Sequence, residues 1–245
     1  MHSQLHRHSH NHDITVYDTA ELYGEKGSFR VMQFSNQAIQ GAMDLNDPAR
    51  ILFEYPRAMI HLMEINLPSF ENAFLIGHGI GTIAGYFADK RFKVAELDDE
   101  VVELSRQYFG YSKDNVVIGD GRQILEGEAA QMYDYILIDA FTASGTPRHL
   151  ISYEFFGIVR SKLLSNGYIL MNLMGKGDND PLINAIYSTL AEVFDYIKAY
   201  ALPSEGASDI RNIIMIGGSH PIRYQARHLA GFQEIQLGQG YLIWD

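Results

Sequence analysis

From Asn72 onward, short apolar runs alternate with amphipathic stretches. "AFLIG" leads into a predicted helix over 80–89, "FKVAEL" into one over 98–109, "NVVIG" into a short helix at Arg122 to Glu126, and "YDYILID" into a loop and the helix "SYEFFGIVRSKLL". "GYILMNLMG", a helix over Asp180 to Val193, "YIKAYAL" and "NIIMIGG" complete seven expected strands. Apolar strands alternating with helices predict a doubly wound, mostly parallel α/β sheet, and such sheets bind ligands beyond the carboxyl ends of their strands.

The chain before Asn72 reads differently. "DITVYDT", "SFRVMQF" and "QAIQGAM" alternate apolar and polar positions and are separated by "YGEKG" and "SNQ", the pattern of a meander of two to four strands. In "DPARILFEYPRAMIHLMEINL" the residues Ile51, Leu52, Tyr55, Met59 and Leu62 have helical spacing, although Pro56 breaks the helix or begins a turn within it. No repeat and no Pro- or Ser-rich linker divides the chain. The expected organisation is a histidine-rich, poorly ordered tail at 1–12, a β-meander at 13–50 and an α/β domain at 51–245.

Composition narrows the chemistry. With 30 acidic against 19 basic residues the formal charge is −11, which disfavours nucleic acid and anionic membranes and mildly favours cationic ligands such as amines. Cysteine is absent, so thiolate nucleophiles, disulfides and cysteine-based metal sites are excluded. No apolar segment approaches the roughly 20 residues that span a bilayer, and the amino-terminal stretch resembles no secretory signal, so a cytoplasmic protein is expected. His2, His6, His8, His10 and His12 are spaced irregularly, which favours a solvated tail over a metal site.

The candidate site lies at the strand ends. "LIGHGIGTIAG" places Gly77, Gly79 and Gly81 between a strand and a helix, where a turn without side chains lets a ligand approach the backbone at a positive helix end. "GIGTIA" fits the dinucleotide fingerprint, with Glu96 at the end of the next strand as a ribose-binding acid; the same pair fits the nucleoside site of S-adenosylmethionine enzymes equally well. "VVIGDGRQIL" ends the third strand at Asp120 and Gly121, and "YDYILIDAF" delivers Asp139 into the same crevice. A carboxylate closing an apolar strand is easier to explain by a site than by packing.

Taken together, "LIGHGIGTIAG", "VAELDDEVVELSRQYF", "VVIGDGRQIL" and "YDYILIDAF" resemble the spermidine synthase (polyamine aminopropyltransferase) family. "RVMQFSNQAIQGAM", with Gln40, and "FEYPRAMIHL", with Tyr55 and His61, extend the likeness. It implies a Rossmann-like S-adenosylmethionine-dependent transferase fold with a small N-terminal β-domain, a homodimer, and aminopropyl transfer from decarboxylated S-adenosylmethionine to a small-molecule amine, with no metal. Asp139 would bind or deprotonate the amine, helped by Tyr55. Glu96 would hold the ribose and Asp120 the adenine, while Gly77, Gly79, Gly81, Gly121 and Gln40 would complete the nucleoside site.

Several positions depart from the family pattern. Ile80 stands in place of an acid in the glycine turn, Thr142 in place of a second acid after Asp139, Arg57 in place of Glu, and His12 in place of Gln. Loss of the acid at Ile80 suits intact S-adenosylmethionine and hence a methyltransferase; loss of the acid at Thr142 leaves room for a non-catalytic nucleoside-binding protein. His78, Asp98, Asp178 and Asp180 are alternative polar contacts. His61 and His149 read as structural histidines, Arg122 as the partner of a nearby acid, and "SHPIRYQARHLAGF" as solvated surface.

Overall fold

The computed structural model describes residues 4–8, 13–34, 39–142, 145–177, 180–204, 206 and 209–245. Expectations resting on His12 and Asp178 lie outside those residues. Among the described residues no helix is long and apolar enough to cross a membrane.

Four antiparallel strands open the chain: β1 (Gln4–His8), β2 (Asp13–Leu22), β3 (Glu25–Phe34) and β4 (Ile39–Asp44), in that spatial order. Part of the histidine-rich segment expected to be poorly ordered forms strand β1. Gln4 to His8 pair with Tyr17 to Asp13, and His6 Nδ1 lies 3.0 Å from Thr15 Oγ1. The polar composition of the segment gives no sign of this strand, because its partner is the edge that β2 supplies.

The larger sheet has eight strands, one more than expected, in the order β12-β10-β11-β9-β8-β5-β6-β7. Its parallel part is β5 (Asn72–Ile76), β6 (Arg91–Glu96), β7 (Val116–Ile118), β8 (Tyr133–Ile138) and β9 (Leu163–Gly175); β10 (Tyr196–Ala201), β11 (Arg211–Gly218) and β12 (Gln233–Ile235) add on antiparallel. Three residues are too few for β12 to show a period, which is why it escaped the sequence reading.

Alternation along each strand serves two cores. Phe74, Ile76, Ile136, Ile138, Ile169 and Met171 face α4 (Gly121–Glu126), α5 (Tyr153–Lys162) and α6 (Pro181–Ala191). Ala73, Leu75, Tyr135, Leu137 and Leu170 face α1 (Glu54–Asn66) and α2 (Thr82–Tyr86). Helices on both faces explain why these strands are apolar throughout. A third cluster joins the two sheets: Ile14, Val16 and Met32 pack on Val101, Leu104 and Phe109 of α3 (Asp99–Phe109).

Pro56 sits in the first turn of α1, where its missing N–H costs no helical hydrogen bond, so it begins the helix and does not break it. The segment 219–232, expected to be solvated surface, instead straps α1. Ile222, Leu229 and Phe232 are buried, Arg223 N donates to Asn66 Oδ1 at 2.8 Å, and Gln225 N donates to His61 Nε2 at 3.0 Å. Basic residues at its surface had masked that apolar spacing.

Candidate active site

The chain runs from β5 to β6 and β7 on one side, then returns to place β8 on the other side of β5. The crevice of a doubly wound sheet opens where the strand order reverses, here at the carboxyl ends of β5 and β8. Gly77 and Asp139 are the residues that leave those ends. Asp139 N donates to Ile76 O at 2.8 Å and Gly77 N to Ala95 O at 2.9 Å, so the turn and the carboxylate are fixed by the ladder itself.

Tyr55, in the first turn of α1, reaches across to hydrogen-bond with Asp139. From β9 the buried Asn172 donates Nδ2 to Asp139 Oδ1 at 2.9 Å. Burial pushes the Asp139 carboxyl above the usual carboxylate range, against the opposing pull of its bonds from Asn172 and Tyr55. The Tyr55 phenol is driven well up as well, by burial first and by the Asp139 charge second, so it stays a donor. A half-buried base of raised affinity for protons is suited to take one from an ammonium or an attacking amine.

On the other side of β5, Glu96 faces the turn. Its Oε2 accepts from His78 N at 2.9 Å and its Oε1 from Asp98 N at 3.0 Å. Each carboxylate oxygen carries further lone pairs, and both can accept from a diol. The next residue, Leu97, is 62% exposed, an apolar side chain left open beside the acid. Asp120 caps α4 by accepting from Gln123 N at 2.9 Å, while its Oδ2 lies 2.9 Å from His149 Nε2. Gly121 packs under Ile76, which draws this third strand end to the same edge.

The glycine turn is shaped as much by the protein as by any ligand. Gly77 has φ +97°, and a Cβ there would stand 2.1 Å from Asp139 O; Gly81 has φ +83°, and its Cβ would strike the Tyr111 ring. Strand β4 closes over the turn, with Gln40 O beside Gly79 and Gly41 against Ile80. The Ile80 side chain joins the apolar cluster of Ile14, Val16 and Met32, where no carboxylate could replace it cheaply.

The alternative polar contacts are otherwise engaged. Asp98 and Asp180 cap α3 and α6. Arg57 turns to Phe53 O and Glu54. Thr142 Oγ1 donates to Gly145 O at 2.9 Å within its own turn. Arg122 pairs with the nearby Glu126 at 3.1 Å, as expected, and both its terminal nitrogens also reach Asp245 at 2.6 Å. His149 Nε2 is tied to Asp120 Oδ2 at 2.9 Å. Asn172 was also missed, although a polar residue inside the apolar run "GYILMNLMG" was a usable signal. No group of three or more His, Asp or Glu among the described residues is arranged to hold a metal ion.

His78 leaves the crevice and is buried against α3, its Nε2 at 2.8 Å from Ser105 Oγ and its ring edge-on to Tyr111. Ser105 Oγ donates to Val102 O, so it accepts from Nε2–H, and Nδ1 is buried without a partner. Burial, with the Arg106 charge second, depresses the imidazole to about 4. The unfolded chain therefore binds a proton that the fold refuses. His78 should contribute nothing to the pH dependence above about 6.5, and stability should fall by up to about 3 kcal/mol as pH drops from there to about 4. Denaturant melts of wild type and His78→Leu across that window check this, the variant showing the flatter slope.

A family model for the spermine/spermidine synthase domain matches residues 52–219. Putrescine N-methyltransferase 2 of Nicotiana attenuata is 27% identical over 160 residues, covering 61% of this chain and 43% of that protein, so the chain spans less than half of that relative. A polyamine aminopropyltransferase of Vibrio vulnificus is 26% identical over 212 residues, covering 81% of this chain and 67% of the relative. Among solved structures, a probable spermidine synthase from Corynebacterium glutamicum superposes with a TM-score of 0.79 at 20% identity, over 95% of this chain and 90% of that one. Family model, two-sheet fold and converging strand ends agree: the chain belongs to the spermine/spermidine synthase domain family.

Proposed function

We propose that this chain, a transferase by family, moves the aminopropyl group of decarboxylated S-adenosylmethionine to a small-molecule amine. The observation that carries the reading is Asp139, held between Tyr55 and Asn172 at the strand switch point with its carboxyl raised by burial. In the step proposed, the amine lone pair attacks the carbon bonded to the sulfonium. The C–S bond breaks with its electron pair going to sulfur, and the proton lost by nitrogen passes to Asp139. A sulfonium leaves readily, so the enzyme's work is to keep the amine neutral and in line.

Glu96 would accept from the ribose hydroxyls, Leu97 would lie against the base, and Asp120 would accept from the adenine amino group once His149 shares or yields its oxygen. Gly77, Gly79, Gly81, Gly121 and Gln40 would form the floor and rim of the nucleoside site. Homodimerisation and a cytoplasmic location belong to the same proposal and rest on the family resemblance and composition.

A second reading is methyl transfer from intact S-adenosylmethionine. Ile80, turned into the apolar cluster, leaves that point of the turn without an acid to repel the donor's carboxylate, and relatives named putrescine N-methyltransferases are among those most similar. Calorimetric titration with decarboxylated and intact S-adenosylmethionine and with methylthioadenosine separates the two. The aminopropyl reading expects the decarboxylated donor to bind at least roughly tenfold tighter than the intact one, about 1.4 kcal/mol. The reverse order moves the assignment to methyl transfer, and binding of none removes the nucleoside site.

A further inference from the structure

Asn172 meets Asp139 through an amide that could face it either way, and what decides the orientation lies one strand further out. An ionised carboxylate has only acceptors, so the atom turned to Asp139 has to be Nδ2. The planar amide then directs Oδ1 away from Asp139, on a sheet face shared with the buried Leu170 and Ile214. A buried carbonyl without a donor costs about 1–3 kcal/mol, which weakens the hold on this orientation and lets the amide turn its oxygen to accept from Asp139 when the carboxyl is protonated. Asn212 removes that alternative. It lies on β11, two residues from the Ile214 that faces Asn172 across the ladder, and donates Nδ2 to Asn172 Oδ1 at 2.9 Å.

The geometry assigns Asn212 as a positioning residue for Asp139: its donation to Asn172 Oδ1 locks the Asn172 amide with Nδ2 toward the carboxylate. Asn212 acts on Asp139 through Asn172. The relay thus runs Asn212 to Asn172 to Asp139, with the Tyr55 hydroxyl closing it from α1. Tyr55 is the titratable group that meets Asp139 in this arrangement; Asn172 and Asn212 are neutral, so orientation is their only means of acting on its charge.

This deepens the transferase reading by resting on Asp139 as the base, but its test does not need turnover. Selective carbon-13 labelling of aspartate carboxyls, with Asp139→Asn assigning the resonance, follows the titration of Asp139 in the ligand-free protein. Asn212→Leu removes the donor without adding charge and should raise the Asp139 midpoint by about one unit, because the amide is then able to turn its oxygen to the carboxyl. Asn212→Gln keeps an amide donor and should move the midpoint back towards wild type. Asn212→Ala removes the same donor and carries the same comparison if the leucine variant does not fold.

With an amine substrate in hand, Asn212→Leu should also lower kcat severalfold at unchanged KM and displace the acid limb of the rate profile to higher pH with the Asp139 midpoint. An Asp139 midpoint that does not move in Asn212→Leu, or that moves equally in Asn212→Gln, overturns the assignment whatever the protein catalyses. A midpoint that moves as expected in a protein that transfers nothing leaves Asn212 in its role and overturns Asp139 as a catalytic base.

Discussion

Asp139→Asn should lose roughly 10²–10⁴-fold in turnover, the span attributable to a positioned general base, while the nucleoside co-substrate still binds. The side chain keeps its volume, and its amide oxygen can still accept from Asn172 at the 2.9 Å position, so the crevice need not rearrange. What disappears is the group that takes the amine proton. Stability should move the other way. The folded-state pKa of Asp139 is raised, so the native protein holds a proton more tightly than the unfolded chain does, and stability declines as pH rises through that interval. Near neutral pH the wild-type carboxyl is a buried liability that the amide lacks, and the variant should melt at the same temperature or higher. Loss of activity with retained titration heats and an equal or higher Tm is the signature of a residue kept for chemistry. Unchanged turnover would remove Asp139 as the base and favour a non-catalytic nucleoside-binding role.

How much of this was legible in the sequence depended on the range of the interaction involved. The strand ends carrying Gly77, Glu96, Asp120 and Asp139 were readable because each polar group closes an apolar run of its own, and the parallel topology brings such ends to one edge. Tyr55 was named through resemblance; only the fold shows that the first turn of α1 puts its hydroxyl on Asp139. Asn172 and Asn212 were out of reach as a pair, since their contact joins residues 40 apart in the chain across an antiparallel ladder. The pairing of β1 with β2 and the strap over α1 failed to show for a related reason: polar surface positions outnumber the few residues that make the contact. The glycine turn suits ligand approach, as its pattern predicts, but Gly77 and Gly81 are also required by their own neighbours, a backbone carbonyl and an aromatic ring.

That double requirement makes Gly77→Ala the second large effect. At φ +97° a side chain is strained wherever it points, at a cost of about 1–2 kcal/mol, and here its Cβ would stand 2.1 Å from Asp139 O and 2.8 Å from Asp139 C. Backbone on both sides cannot yield as a flexible side chain can. The ends of β5 and β8 would have to part, loosening the 2.8 Å bond from Asp139 N to Ile76 O that sets the carboxylate in place. Destabilisation of roughly 3 kcal/mol or more is expected, which in a chain of this size lowers Tm by roughly 6–12 °C. Gly85→Ala is the matched control, because Gly85 lies within α2 with nothing within 4 Å of its added Cβ, and alanine there should be neutral or stabilising by up to about 1 kcal/mol. Thermal melts of the two variants give the comparison. Turnover of Gly77→Ala, measured well below its Tm, then tells whether the strand end serves only the fold or also aims Asp139: a rate equal to wild type would confine Gly77 to folding, and a rate lowered as in Asp139→Asn would tie the turn to the placement of the base.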